Sequence, residues 1–198
     1  MKTLLAAAML LVTTGAGFAM DAQSQAVTER YKPGKLMRIA DVATLMLGSA
    51  RWCYAEAEGG CDWTDIYLDV TDSGAQYEIS NGWAEDVDIA FVDRGEFRDG
   101  RYICETGYDW TPSLRATHKD GMAINGRDLA TIRAEVSEVN SGDAAYCFDY
   151  LYQSADPEAD TVTLLQRQYD PEGNDVGADV EVTLHFNAED AAALTLHF

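Results

Sequence analysis

Residues 65–82 read DIYLDVTDSGAQYEISNG. Across 65–70, Ile66, Leu68 and Val70 alternate with Asp65, Tyr67 and Asp69. A period of two belongs to a strand that lays its apolar face on a core and its other face in water. Asp72-Ser73-Gly74 supplies a turn, Tyr77 and Ile79 resume the alternation, and Asn81-Gly82 ends it. The same texture continues downstream, with candidate strands at 88–93, 101–105, 144–153, 161–169, 179–186 and 194–198. Asp170-Pro171-Glu172-Gly173-Asn174 is the strongest turn signal among them. About 8–10 short strands with close-set turns predict a mainly β fold, a single antiparallel barrel or sandwich.

Upstream the period changes. Over 35–47, Leu36, Ile39, Ala40, Ala43, Met46 and Leu47 recur at three- and four-residue steps, which predicts one amphipathic helix ahead of the sheet, stopped by Gly48. Residues 20–34 are polar, end in Pro33-Gly34, and read as a flexible lead-in to a single β domain over 35–198. The stretch RDLATIRAEVSEV, 127–139, fits two periods. Leu129, Ile132, Val136 and Val139 suit a helix; Ala130, Ile132, Ala134 and Val136 suit a strand. The strand is the preferred reading, with Asn140-Ser141-Gly142-Asp143 closing a hairpin onto the next run. The echo TLHF, at 183–186 and 195–198, suggests a terminal hairpin, with Asn187 capping one helical turn in its loop. His185 and His197 are then exposed residues of its polar face.

A helix leading into Gly48, Trp52 and a β-meander resembles the lipocalin-like barrels. That family sets the glycine and tryptophan two apart, whereas here they are four apart. The resemblance implies a barrel shape and carries over no ligand and no site residue.

The N-terminus speaks for export. Lys2, a short apolar run over 4–12 and Gly17-Phe18-Ala19 form a signal peptide over 1–19, so the expected location is periplasmic or secreted. In such a compartment four cysteines pair. Without C-x-x-C or any two- to four-residue ligand spacing, neither a redox motif nor a zinc site is indicated. The preferred disulfides are Cys53–Cys61, around Gly59 and Gly60, and Cys104–Cys147, between two strands. Residues 86–93 and 170–179 lack the spaced oxygen ligands of a calcium loop. No metal and no cofactor is expected.

The chain carries 34 acidic and 14 basic residues, a net charge of -20. Such a field repels phosphate backbones and anionic lipid heads, which excludes nucleic acid and acidic membrane surfaces as partners. Residues 94–133 stand apart, with seven basic and six acidic residues. There Arg94, Arg98, Arg101 and Arg115 alternate with Tyr102, Tyr108 and Trp110. Guanidinium forks bind carboxylates or phosphates and stack on rings, so these seven residues are the candidate ligand-binding set. No catalytic residue is indicated: the chain lacks G-x-S-x-G, and its carboxylates are too many to single out two. The expected function is that of an exported binding or interaction protein, its partner a protein or a small anionic or apolar molecule. The alternatives are a secreted hydrolase with a carboxylate pair and a small outer-membrane barrel, which the alternating Leu194, Leu196 and terminal Phe198 would suit.

Overall fold

The computed structural model describes residues 20–139 and 145–198. The expected signal peptide and the expected turn over Asn140-Ser141-Gly142-Asp143 lie outside the described residues. In chain order the elements are α1 (Ala22–Thr28), β1 (Lys35–Leu36), α2 (Ile39–Gly48), β2 (Arg51–Tyr54), β3 (Gly60–Cys61), β4 (Trp63–Thr71), β5 (Gly74–Ala84) and β6 (Val87–Arg98). Then come β7 (Tyr102–Glu105), a 3-10 turn (Thr111–Ser113), β8 (Arg115–His118), β9 (Ala123–Ile124), α3 (Gly126–Val139), β10 (Cys147–Asp156), β11 (Thr161–Tyr169), β12 (Val180–His185), α4 (Ala188–Ala193) and β13 (Thr195–Leu196).

The fold is mainly β, and its centre is a closed eight-stranded antiparallel barrel. The strands run β2-β4-β5-β6-β7-β10-β11-β12 and return to β2. The closing pair is the shortest: β7 meets β10 only through Cys104↔Cys147 and Ile103↔Phe148. At β6 the sheet divides. Its C-terminal half, Gly95 to Arg98, pairs with β7, while Val87 to Ala90 pairs with β8. Between these two pairings the edge of β6 is served by side chains: Ser113 Oγ accepts from Val92 N at 2.8 Å and Thr106 Oγ1 donates to Arg94 O at 3.4 Å.

Over residues 65–68 the face that points inward is the reverse of the one the hydrophobic alternation suggests, whereas Val70, Tyr77 and Ile79 lie on the core as it does suggest. Asp65 is 6% exposed and Tyr67 packs on the core, whereas Leu68 is 53% exposed and Ile66 lines an outer groove. The lumen is filled by rings from β2, β4, β5 and β10, which bury more area than aliphatic side chains, set against Val162, Leu164, Val182 and Leu184 of β11 and β12. Trp52, Tyr54 and Tyr150 are fully buried, and Trp52 meets Tyr67 and Tyr150 edge-on at 5.1 and 5.5 Å. A bulge after Tyr67 returns Val70 to the inner face.

One end of the barrel is plugged by the N-terminal segment. Residues 20–34 are not a loose lead-in: Asp21 caps α1 by accepting from Gln23 N and Ser24 N, and Val27 is buried. The second helix begins at Ile39 rather than residue 35, because Lys35 and Leu36 pair with Tyr152 and Leu151 of β10. Its Val42, Leu45 and Met46 enter the core. Asp41, 5% exposed, joins both helices by accepting from Arg30 and Tyr31 at 2.6 Å each and from Arg38 Nε at 2.9 Å.

The other end carries a second apolar cluster, and here 127–139 is helical rather than a strand. Leu129, Ile132 and Val136 lie on one side of α3, against Ile89, Leu114 and Ala116. Arg133 fixes the helix to that sheet by donating to Leu114 O at 2.7 and 3.1 Å.

The C-terminus is also arranged differently from the expected hairpin. Asn187 does cap a helical turn, accepting from Glu189 N and Asp190 N. After it, Thr195 and Leu196 run parallel to Gly60 and Cys61 rather than back along 183–186. Residues 188–196 thus form a strap across the outside of the barrel, held at its far end by Lys119 Nζ donating to Leu196 O at 2.9 Å.

Candidate functional site

The strap and the outer face of the barrel enclose a groove of about 380 Å³. Ile66, Ser80 and Ala90 contribute to its lining from three neighbouring strands, and Leu194 and Leu196 from the strap. Three cations line it: Arg51 at the start of β2, and Arg115 and Lys119 along and just after β8. Two of them are engaged. Arg115 pairs with Glu78 at 2.5 Å, and Lys119 with Asp88 at 2.6 Å. Arg51 forms no ion pair among the described residues, and its Nε is buried without an acceptor. Burial holds this guanidinium below its ordinary pKa, opposed only by the charge of Glu78. The groove therefore has three positive and two negative side chains, a local excess of one positive charge in a strongly acidic protein.

The seven residues proposed from sequence are not assembled in one place. Arg115 is in this groove. Arg94 lies over the Tyr108 ring at 4.3 Å, beside an open hollow next to the β4–β5 turn. Arg98 pairs with Glu96 at 3.2 Å on the surface. Arg101 and Tyr102 belong to a cluster around Asp149 on the outside of β10. Trp110 packs on Phe91, with ring centroids 4.4 Å apart, beside α3. Sequence neighbours separate in this way because alternate residues of a strand face opposite sides and β6, β7 and β8 diverge. Arg51 was missed; its one distinguishing mark is that no other Lys or Arg stands between Arg38 and Arg94.

Both disulfides form in the expected pairing, Cys53–Cys61 and Cys104–Cys147. The first lies under the strap, on the side of β2 opposite Trp52 and Tyr54. Trp63 is stacked on Tyr54 at 4.6 Å. Next to this bridge His185 is buried rather than exposed, with Nε2 3.0 Å from Glu56 Oε2. Cys53, Glu56 and His185 come close enough to suggest a metal site, but the sulfur is committed to a disulfide and offers no thiolate.

The inner wall carries carboxyls of its own. Asp65 Oδ2 accepts from Tyr54 OH at 2.7 Å, while its Oδ1 is buried and meets no donor. Burial, reinforced by the charge of Asp93, raises the Asp65 carboxyl from 3.8 to about 7 against the opposing Tyr54 hydrogen bond. Asp93 and Glu105 are raised too, first by burial. A carboxyl whose folded pKa exceeds its unfolded value keeps a proton that the unfolded chain has released. Stability therefore falls as pH rises from 3.8 to about 7, and levels off above. Urea unfolding across that window is expected to show a shallower fall for Asp65→Asn, with the variant the more stable at pH 8. An unchanged slope would remove Asp65 as its source.

No helix among the described residues is long and apolar enough to cross a membrane. The chain matches no family model, no curated protein and no solved structure.

Proposed function

We propose that this chain is an exported binding protein, periplasmic or secreted, that holds a small anionic molecule in the groove beneath its C-terminal strap. The observation that carries this reading is Arg51: a half-buried guanidinium that forms no ion pair among the described residues and lines the groove. An unengaged charged donor is costly to bury, and a carboxylate that accepts from it relieves that cost. Arg115 and Lys119 add positive potential, and the aliphatic side chains of Ile66, Leu194 and Leu196 suit a ligand with an apolar portion. The two disulfides agree with an oxidising compartment. Against the outer-membrane alternative stand the charged side chains of Glu78, Asp88, Asp149 and Arg167 on the outward faces of the barrel strands.

The test is calorimetry with a series of mono- and dicarboxylates at low and moderate salt. Binding is expected to weaken with salt and to fall about tenfold or more in Arg51→Gln, the equivalent of one lost charge-assisted hydrogen bond. In the absence of ligand, Arg51→Met is expected to melt at or above the wild-type temperature, because it removes a buried donor that lacks an acceptor. Carboxylate affinities unchanged in Arg51→Gln would overturn the assignment.

A further inference from the structure

The inside of the barrel presents the opposite electrostatic problem. Strand register places Tyr67, Tyr77 and Asp93 in one row across β4, β5 and β6, and Asp65, Ile79 and Phe91 in the next. Glu105 of β7 stands opposite Gly95, one inward position along β6 from Asp93. Three carboxyls thus share one inner wall with the rings of Tyr54, Tyr67, Tyr77 and Tyr150.

No cation faces that wall among the described residues. The basic residues placed above lie on the outer face, beside α3 or in the helical plug, and Lys32, Lys35 and Arg127 are exposed. No Lys or Arg side chain accordingly acts on Asp65, Asp93 or Glu105; the opposing influences on the last two are backbone N–H groups, of Arg94 onto Asp93 and of Tyr146 onto Glu105. Protonation removes the charge but leaves the geometry unsatisfied: Asp65 is 6% exposed, and its Oδ1 has no hydrogen-bond partner among the described residues. Asp93 and Glu105 are half-buried, so the wall is not sealed from solvent at their end, near where β7 and β8 part from β6. Buried carboxylates beside electron-rich ring faces are the surroundings that stabilise an ammonium group, through charge-assisted hydrogen bonds and cation–π attraction.

We propose that this inner wall is a second binding site, for a small organic cation of the primary ammonium class, whose N–H donates to Asp65 Oδ1 and whose charge is balanced by Asp65, Asp93 and Glu105. Entry is through the division of the sheet at β6. An apolar or aromatic tail on the amine continues toward Phe91 and Trp110.

The probes are n-butylammonium and phenethylammonium, against the neutral alcohols of the same size and against calcium alone, in calorimetry and thermal-shift measurements on the oxidised protein. Both amines are expected to bind and to raise the melting temperature, with the alcohols silent. Affinity is expected to rise from pH 5 to pH 8 as Asp65, raised to about 7, loses its proton while the facing tyrosines, all raised by burial, stay neutral. Asp65→Asn is expected to lose about tenfold or more in amine affinity while keeping carboxylate binding, and Arg51→Gln to do the reverse. This crossed pattern separates failure of the inner site from failure of the groove. Asp93→Asn, at the half-buried mouth, gives the same readout if Asp65→Asn does not fold. Amines that do not bind, that bind both Asn variants as well as wild type, or that are silent where calcium binds would overturn the proposal.

Discussion

Replacing Arg101 and Arg167 together by alanine is expected to destabilise the fold by about 3–5 kcal/mol, a large part of the roughly 5–15 kcal/mol available to a domain. Asp149 is 0% exposed on the outer side of β10. Arg167 forks onto it with Nε to Oδ1 at 2.9 Å and Nη2 to Oδ2 at 2.8 Å. Arg101 donates from Nε to Oδ2 at 2.7 Å and from Nη2 to Tyr169 OH at 2.9 Å. Tyr169 OH reaches Oδ2 at 3.3 Å, and the Tyr102 and Tyr169 rings flank the Arg101 guanidinium at 4.5 and 5.2 Å. Deleting both cations leaves a buried carboxylate with one hydroxyl donor. The two guanidinium side chains are 33% and 23% exposed, which places the expected loss in the lower half of the range. The contrasting variant removes all three charges: Asp149→Leu with Arg101→Met and Arg167→Met is expected to be near neutral, because no unpaired ion remains. Urea unfolding of the two variants decides the matter. A double alanine variant within about 1 kcal/mol of wild type would show that solvent screens the cluster as it does an exposed pair.

The same cluster shows why the barrel was legible in the sequence and its sites were not. Strand alternation and turn chemistry are local, so the meander, the turn at Asp72-Ser73-Gly74 and the Cys53–Cys61 loop could be read from short stretches, and Cys104–Cys147 followed as the remaining pair. Which face of a strand points inward depends on what the other strands offer. Ile66 and Leu68 carry the apolar alternation, yet the rings of Tyr54, Tyr67 and Tyr150 take the inner positions on this side of the lumen, and Asp65 goes inside with them. Helix α3 was misread for a related reason: Ala130, Ile132, Ala134 and Val136 satisfy a period of two, and only the patch of Ile89, Leu114 and Ala116 selects the face through Leu129, Ile132 and Val136. The arginines between 94 and 115 are neighbours along the chain, but the parting of β7 from β8 sends them to separate surfaces. Arg51 becomes notable only when residues 188–196 are laid across it, a contact between segments more than 130 positions apart.

Removing Cys104–Cys147 is expected to destabilise the protein more than removing Cys53–Cys61, although both bridges are largely shielded from solvent. The first joins positions 43 apart and the second positions eight apart. If a bridge acts by restricting the unfolded chain, these separations correspond to about 4 and about 2.5 kcal/mol respectively. The fold widens the difference. Cys53–Cys61 spans a short local turn that the pairing of β2 with β4 and the strap also hold. Cys104–Cys147 crosses the closing seam, where only two residue pairs join β7 to β10. Beside it, Glu105 N donates to Tyr146 O at 2.9 Å and Glu105 Oε2 accepts from Tyr146 N at 3.0 Å. Without the bridge, the seam is the part of the barrel with the fewest hydrogen bonds opposing local opening. Paired Cys→Ala variants, unfolded in urea, are expected to rank in this order, and the Ile103 and Phe148 amides are expected to exchange faster than the rest of the barrel in the 104/147 variant alone. Equal losses in the two variants, with no local exchange at the seam, would falsify both the loop-length argument and the role of β7 as the closure.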